Sequence, residues 1–406
     1  KVKAFEDAEV FYYQGTDFIE EVESLLVSEI CRFLGCSRVE TRTISGQMAN
    51  TAVFSAMVDF LNRADRKREQ RRMKSVMNNH IIRGGHLSAQ PMGALRDFVM
   101  RDPRTERPAV IPFPVFEDDP YRIDPEASIK LMEEHRPELI ILGKSMVLYP
   151  EPVAEIRKAV DELKLRSVVM YDMAHVMGLA GPHFQEPFRD GAHIVTGSTH
   201  KTFFGTQRGV IASDIADTER LYPLWEAVER RTFPGSVSNH HPGTMLGLLM
   251  AAYEMNAFKD MYQRKVIANA RAFAKALDQC GFNVAGKRDE GFTCTHQVVV
   301  GVGYSRGPEI ARRLEASNII VNYQAAPGEE GFTASGSLRM GVAEMTRFGM
   351  EPEDFEELAG LIGDVIFSGS TVKGEIEKMR QRFLQMRFCF KDAELDSMME
   401  KLCRIP

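Results

Sequence analysis

Two short stretches, Ser167-Val-Val-Met-Tyr-Asp172 and His193-Ile-Val-Thr196, decide the fold. Each is an apolar run without polar–apolar alternation, the pattern of a strand buried on both faces. Working outward, Val110-Ile-Pro-Phe-Pro-Val-Phe116 and Glu138-Leu-Ile-Ile-Leu-Gly143 read as strands of the same kind. Between them, residues 153–163 place Val153, Ile156, Val160 and Leu163 on one helical face. Strands alternating with helices predict an α/β fold, a mostly parallel sheet covered by helices on both faces.

The flanks extend this plan. Residues 17–35 carry Phe18, Val22, Leu25, Ile30 and Leu34 at helical spacing, with Asp17 placed to cap the start and Gly35 to end it. Pro242 and Gly243 open a long helix near 244–258, expected to lead into a smaller C-terminal domain. That domain is expected to begin with a separate helix around 262–280 and to end with helices at 354–367 and 371–386. The expected division is an N-terminal segment (1–16), a large domain (17–258) and a small α+β domain (259–406).

Composition narrows the function classes. With 406 residues, 44% hydrophobic and 27% charged, the chain is neither disordered, collagen-like nor a coiled coil. A chain of this length buries about three quarters of its unfolded surface, so it needs no metal or disulfide staple. A net charge of −6 argues against a dedicated nucleic-acid binder. The basic run from Arg63 to Lys74 lacks interleaved aromatics and reads as a solvated helix end or loop. Six cysteines without a C-x-x-C pair point to free thiols in a reducing, cytoplasmic setting. No secretory leader is expected in these residues, and no apolar run reaches the roughly 18 residues of a membrane span.

Several motifs fail on spacing. Gly143-Lys144-Ser145 follows a strand, but a phosphate-binding loop needs a glycine where Glu138 stands. Gly301-Val-Gly303-Tyr-Ser-Arg-Gly307 has one residue too many for a dinucleotide fingerprint, and no helix clearly follows it. The histidines and cysteines show no metal-ligand spacing; His240 and His241 are adjacent, which sends their rings to different sides.

One constellation carries chemistry. Asp172 ends one predicted strand, and Ser198-Thr199-His200-Lys201 closes the next. In open α/β sheets ligands bind outside the carboxyl ends of the strands, so Asp172 and Lys201 face one crevice. In pyridoxal-phosphate chemistry a lysine forms the Schiff base with the cofactor aldehyde, and an aspartate keeps the pyridine nitrogen protonated. A structural ion pair is the alternative for these two residues; the polar neighbours Ser198, Thr199 and His200 argue against it.

Asp172-Met-Ala-His175 followed by Ser198-Thr-His-Lys201-Thr-x-x-Gly205 resembles the serine hydroxymethyltransferase family, fold-type I pyridoxal-phosphate enzymes. Phe11-Tyr-Tyr13-Gln-Gly15 is similar to its tyrosine-pair segment, Ile44-Ser45-Gly46-Gln47-Met-Ala-Asn50 to its phosphate turn, and Gly84-Gly-His86-Leu-Ser88 to its stacking-histidine loop. Ser335-Gly-Ser-Leu-Arg339-Met-Gly341 with Thr346-Arg347-Phe-Gly349 resembles its carboxylate-arginine segment.

The resemblance implies a large domain with a mostly parallel seven-stranded sheet, and pyridoxal 5′-phosphate bound as a Schiff base to Lys201. It implies Ser45, Gly46 and Gln47 on the phosphate, His86 stacked on the ring, and Ser145 and His175 near the phenolic oxygen. Ser198 and His200 complete the cofactor set, and Arg339 holds the amino-acid carboxylate. A homodimer with a shared site follows, Tyr13 and the loop bearing Gly235 and Gly243 crossing between copies. Glu6 or Asp7, with Tyr13 and His86, moves the proton of the substrate hydroxyl.

Departures gather on the folate side. Gln324 stands where the family has an asparagine, the loop from Gln324 to Ser335 is short, and the arginine after the lysine comes one place later, at Arg208. Residues 238–241 read Ser-Asn-His-His, and Gly291-Phe-Thr-Cys-Thr-His-Gln297 also resembles threonine transaldolases. The implied activity is Cα–Cβ cleavage or formation of a β-hydroxy amino acid with one-carbon transfer to tetrahydrofolate. The alternatives are a folate-independent threonine aldolase or transaldolase, and a catalytically silent relative.

Overall fold

The computed structural model describes residues 2–3, 9–10, 14–65 and 67–403. An antiparallel pair, β1 (Val2–Lys3) with β2 (Glu9–Val10), precedes α1 (Asp17–Leu34). The large sheet is built from β3 (Arg38–Glu40), β4 (Val76–Asn78), β5 (Val110–Pro112), β6 (Leu139–Leu142), β7 (Val168–Asp172), β8 (Ile194–His200) and β9 (Phe204–Ser213). Its seven strands lie in the order β3-β9-β8-β7-β6-β4-β5. From β5 to β8 every pairing is parallel, while β9 runs antiparallel to both its neighbours. The helices between these strands are α2 (Gly46–Asn62), α3 (Pro125–His135), α4 (Val153–Glu162) and α5 (Tyr222–Thr232).

Strand alternation divides the apolar residues between two cores. Leu139, Ile141, Val168, Met170 and Ile194 pack with Val53, Phe54 and Met57 of α2 and with Leu224 and Trp225 of α5. Ile140, Leu142, Val169, Tyr171 and Val195 face the other way, towards α1, α4 and the long α6 (Pro242–Gln279). The runs contain no polar alternation because neither face meets water. Val22, Leu26 and Ile30 of α1 are fully buried in the second core; each contributes roughly 1.5–3 kcal/mol.

The C-terminal part has its own sheet. β10 (Asn283–Val284), β11 (Gln297–Gly301), β12 (Asn322–Gln324) and β13 (Ser337–Gly341) pair antiparallel in the order β10-β11-β13-β12. Its helices are α7 (Gly307–Ala316), α8 (Ala343–Arg347), α9 (Pro352–Gly363), α10 (Lys373–Gln381) and α11 (Asp392–Leu402). Val298, Val300, Leu338 and Met340 share a core with Ile310 and Leu314 of α7 and with Phe355 and Ile362 of α9. On the opposite face Val299 packs with Tyr121, Met146, Leu148 and Tyr149 of the large-sheet loops.

Several expectations are corrected. The two helices expected at 244–258 and 262–280 are one, α6, of 38 residues and about 57 Å. No glycine or proline interrupts residues 248–280, and Lys259 inside the expected gap donates to the Phe33 carbonyl at 2.6 Å. The expected division at 258/259 therefore lies within a continuous helix. Thr16, not Asp17, holds the N-cap position of α1, with Asp17 in the first turn; Gly35 ends that helix at φ 68° as expected. β5 stops at Pro112, short of Phe116. α9 is helical from Pro352 and passes into a π turn at Asp364–Ser368, and α10 covers only part of the expected 371–386. A helix does follow Gly307, but the Gly307 N–H is spent on the Ser335 carbonyl at 2.9 Å. In the basic run after α2, Arg63, Lys67, Arg68, Arg72 and Lys74 are exposed, and the half-buried Arg71 pairs with Glu138 at 2.7 Å. No helix among the described residues is long and apolar enough to cross a membrane.

Neutral histidines are built into this packing. The Val169 N–H donates to Nδ1 of His193 at 2.9 Å, and burial, helped by Arg157, pushes His193 down to about 3. Burial with Arg208 and Arg42 lowers His240 to about 4. In the unfolded chain both titrate near 6.5, so on acidification the unfolded state takes protons that the native state refuses. Stability is therefore expected to fall as pH drops from about 6.5 towards 4, by up to about 1.4 kcal/mol per pH unit for each such histidine. Tm against pH, followed by circular dichroism, should show this slope, shallower in His193→Gln; an unchanged slope in that variant refutes the assignment.

Candidate active site

Asp172 is the last residue of β7, and Lys201 follows immediately after β8. Because these strands are parallel neighbours, with Asp172 opposite Thr196, both residues emerge at the same end of the sheet. Gly143, just past β6, has φ 139°, and a Cβ there would collide with the Asp172 carbonyl. A glycine is what lets the two strand ends pass.

The Asp172 carboxylate is buried, with 1% of its side chain exposed. Its Oδ2 accepts from Asn50 Nδ2 at 2.8 Å and lies 2.5 Å from His86 Nδ1, and its Oδ1 accepts from the Ala174 N–H at 3.1 Å. Ser88 bonds the Asn50 amide and sits 3.1 Å from His86 Nδ1. Thr196 donates to Asn50 Oδ1 at 2.6 Å, which turns the amide so that its N–H points at Asp172. Burial alone would raise this carboxyl group, but the His86 ring, the Asn50 amide and the Ala174 N–H hold it below the ordinary range. A fixed negative charge thus sits at the sheet end. His86, expected as a stacking ring, is hydrogen-bonded edge-on to that carboxylate, and its ring is 5.3 Å from the His175 ring at 81°.

Lys201 lies on the N-terminal side of α2. Its Nζ donates to Ser198 Oγ at 3.3 Å, and Ser198 Oγ occupies the space a Cβ on Gly46 would need. Ser45 caps α2, its Oγ accepting from the Met48 N–H at 3.1 Å. The Gly46 and Gln47 N–H groups stand in the first turn, where a helix has no internal acceptors and favours an anion. Burial lowers the Lys201 amine, Asp172 opposing and Arg339 assisting. Such an amine is more readily neutral and therefore nucleophilic.

The other polar neighbours of Lys201 divide their work. Thr199 is buried and its Oγ1 donates to the Thr206 carbonyl at 2.7 Å, pinning the β8–β9 turn. His200 is largely exposed; partial desolvation of its ring, then the Lys201 charge, lowers it. Arg208, fully buried, donates to the Thr41 and His241 carbonyls at 2.9 Å. The late arginine is a backbone clasp.

The facing wall comes from the small sheet. Arg339 Nη1 donates to the Ser145 carbonyl at 2.8 Å, the same carbonyl that receives Gln297 Nε2 at 3.0 Å, while Gln297 Oε1 accepts from the Val147 N–H at 2.8 Å. Burial lowers Arg339, with no acidic group among the described residues countering it. Arg347, by contrast, is committed to Glu254 at 3.1 Å and lies over the Phe204 ring. His175 is held neutral, well below its usual range, by burial, Lys201 and Arg339. Gln324 of β12 lies two residues beyond Asn322, which pairs with Arg339, and so shares its sheet face. Below the site Lys144 and Glu151 form a buried pair at 2.9 Å, which accounts for the lysine of the rejected phosphate-loop motif.

The chain therefore gathers Ser45, Gly46, Gln47, His86, Ser145, Asp172, His175, Ser198, Lys201 and Arg339 around one sheet end. Glu6, Asp7 and Tyr13 lie outside the described residues. Gly235 and Gly243 are exposed, and no described contact joins them to Lys201, Asp172 or Arg339. Sequence reasoning did not single out Asn50, Ser88, Thr196, His296 or Gln297. All stood inside quoted stretches, yet nothing in the residue order alone marked them for a role at the site. No group of three His, Cys, Asp or Glu side chains among the described residues is placed to hold a metal.

A family model described as serine hydroxymethyltransferase matches residues 9–362. The chain is 37% identical over 390 residues to the serine hydroxymethyltransferase of Korarchaeum cryptofilum, covering 94% of this chain and 85% of that one. It is 35% identical over 390 residues to that of Archaeoglobus fulgidus, covering 94% and 82%. The crystal structure of L-threonine transaldolase from Pseudomonas fluorescens in internal aldimine state aligns with a TM-score of 0.82 over 100% of this chain and 87% of that chain, at 24% identity. That likeness is one of fold alone.

The Thr196–Asn50–Asp172 chain makes a direct prediction. Thr196→Val and Asn50→Ala should each cost about 1–2 kcal/mol in denaturant unfolding. The double variant should lose clearly less than the sum, because both remove the same support of Asp172. Additive losses would show the chain to be no unit.

Proposed function

The chain belongs to the serine hydroxymethyltransferase family, and from that premise we propose that it interconverts serine and glycine, passing the one-carbon unit to tetrahydrofolate with pyridoxal 5′-phosphate as cofactor. The observation that carries this reading is the pair of half-buried cations, Lys201 and Arg339, the guanidinium close enough to lower the amine, with no acidic partner for Arg339 among the described residues. Partly removing a guanidinium from water without a counter-ion is costly, and the carboxylate of an amino acid supplies that counter-ion while its amine reaches Lys201.

The donor set fits the cofactor: an amine of lowered basicity and a glycine-led helix N-terminus meet at Ser198, with a buried anionic carboxylate near the amine. When bound, the cofactor supplies an electron sink for the bond broken at Cα. Lys201 would hold it covalently, Asp172 would keep its ring nitrogen protonated, and Ser45, Gly46 and Gln47 would hold its phosphate. His86, Ser145, His175, Ser198 and His200 complete its surroundings. Arg339 would grip the carboxylate with two parallel N–H donors and so fix the orientation of the bonds at Cα. Glu6 or Asp7, with Tyr13 and His86, would move the proton of the β-hydroxyl, and Gln324 would serve the folate side.

Two copies form the working unit, Tyr13, Gly235 and Gly243 entering the neighbour's site; the exposure of both glycines supports this. Six free cysteines support a cytoplasmic setting.

Purified holoenzyme should be yellow, and Lys201→Ala should lose the visible absorbance. Arg339→Ala should weaken glycine binding about 10- to 150-fold, read from the change in that absorbance. With glycine bound, adding tetrahydrofolate should alter the spectrum further. Acetaldehyde released from threonine, with a spectrum indifferent to folate, would instead establish the folate-independent aldolase.

A further inference from the structure

Residues 293–297 run alongside residues 145–149 and are stitched to them side chain by side chain. Thr295 donates to the Val147 carbonyl at 2.6 Å, Thr293 to the Leu148 carbonyl at 3.4 Å, and the Gln297 amide engages both Val147 and Ser145. His296 stands in this row with a different fate. Its backbone carbonyl accepts from the Val342 N–H at 3.0 Å, and its Cδ2 is 3.4 Å from where a Cβ on Gly341 would be, which fixes the ring against the end of the strand carrying Arg339. The residue is buried, yet Nδ1 has no hydrogen-bond partner among the described residues.

Leaving a buried polar nitrogen unsatisfied is unfavourable by more than a typical hydrogen bond is worth. Such a group in a folded chain calls for a reason, and completion by a bound molecule, beside a site that takes a ligand, is one. The surroundings restrict that ligand. Burial, Arg339 and Lys201 lower His296 to about 3, so the ring is neutral and both cations reach it. A neutral ring in the field of two cations offers an N–H to an anion without adding a charge that needs a partner of its own. Arg339 spends one N–H on Ser145, and a carboxylate has about four lone-pair directions, of which a two-pronged guanidinium takes two.

We propose that His296 is a substrate-binding residue whose Nδ1–H donates to the amino acid's α-carboxylate beside Arg339. The assignment rests on the function proposed above and adds to it a second carboxylate ligand. With the proton on Nδ1, the ring discriminates a carboxylate, which only accepts, from groups that only donate.

The test compares two amines on the holoenzyme, glycine and methylamine, which differ by the carboxylate; Kd is read from visible absorbance. His296→Leu should weaken glycine about 10- to 100-fold and change methylamine by less than about twofold. His296→Gln, whose amide retains an N–H donor, should recover most of the glycine affinity. Equal losses for both ligands, or no loss for glycine, overturns the proposal. If His296→Leu does not fold, nitrogen NMR of the wild-type ring decides: its Nδ1 resonance should shift with glycine and not with methylamine, and an unmoved resonance overturns the proposal. If the wild-type protein binds no amino acid at all, the functional reading itself fails, an outcome distinct from glycine binding that is indifferent to residue 296.

Discussion

The site depends on one negative charge kept where water does not reach. Asp172 sits at a strand end with its carboxylate enclosed, and removing a carboxylate from water without partners costs several kcal/mol. Asn50, His86 and the Ala174 backbone supply those partners, each from a different segment. Holding the charge therefore fixes where α2, the loop before residue 87 and the turn after β7 stand relative to one another. Thr196 extends the constraint to β8, the strand that delivers Lys201. The same contacts that keep the aspartate ionised thus align the lysine.

Opposite that charge, the site concentrates positive charge with little to balance it. Lys201 and Arg339 are lowered by burial, and the imidazoles of His175 and His296 stay neutral in their field. Electrostatic order is built across two sheets: the large one supplies the anion and the amine, the small one the guanidinium. The Ser145 carbonyl is where the two meet, accepting from Arg339 and Gln297 at once.

Much of this was legible in the residue order, for physical reasons. Strands buried on both faces cannot alternate, so β6 and β7 announced themselves. Asp172 and Lys201 stood out because charged residues rarely end such runs without cause. β9 was illegible: its first half, Phe204-Gly-Thr-Gln-Arg208, has neither apolar continuity nor alternation, and pairing with β8 and the Thr199 bond give it its conformation. The continuity of α6 was hidden because Lys259 and Asp260 interrupt its apolar face, although nothing there breaks a helix. Asn50 and Thr196 escaped notice because their importance lies in the carboxylate they orient, a relation visible only in three dimensions.

The uninterrupted α6 has a mechanical meaning. A loop between two units acts as a swivel, whereas a rod of about 57 Å yields only by gentle curvature. Its first turns lie under the strand following Lys201, and its later turns pack against the helices behind the small sheet. Widening the gap between amine and guanidinium must strain that rod or slide packed side chains past one another. The span between the two cations is thereby gauged by a covalent ruler, and a ligand whose charges are spaced differently meets elastic resistance as well as poor hydrogen bonding.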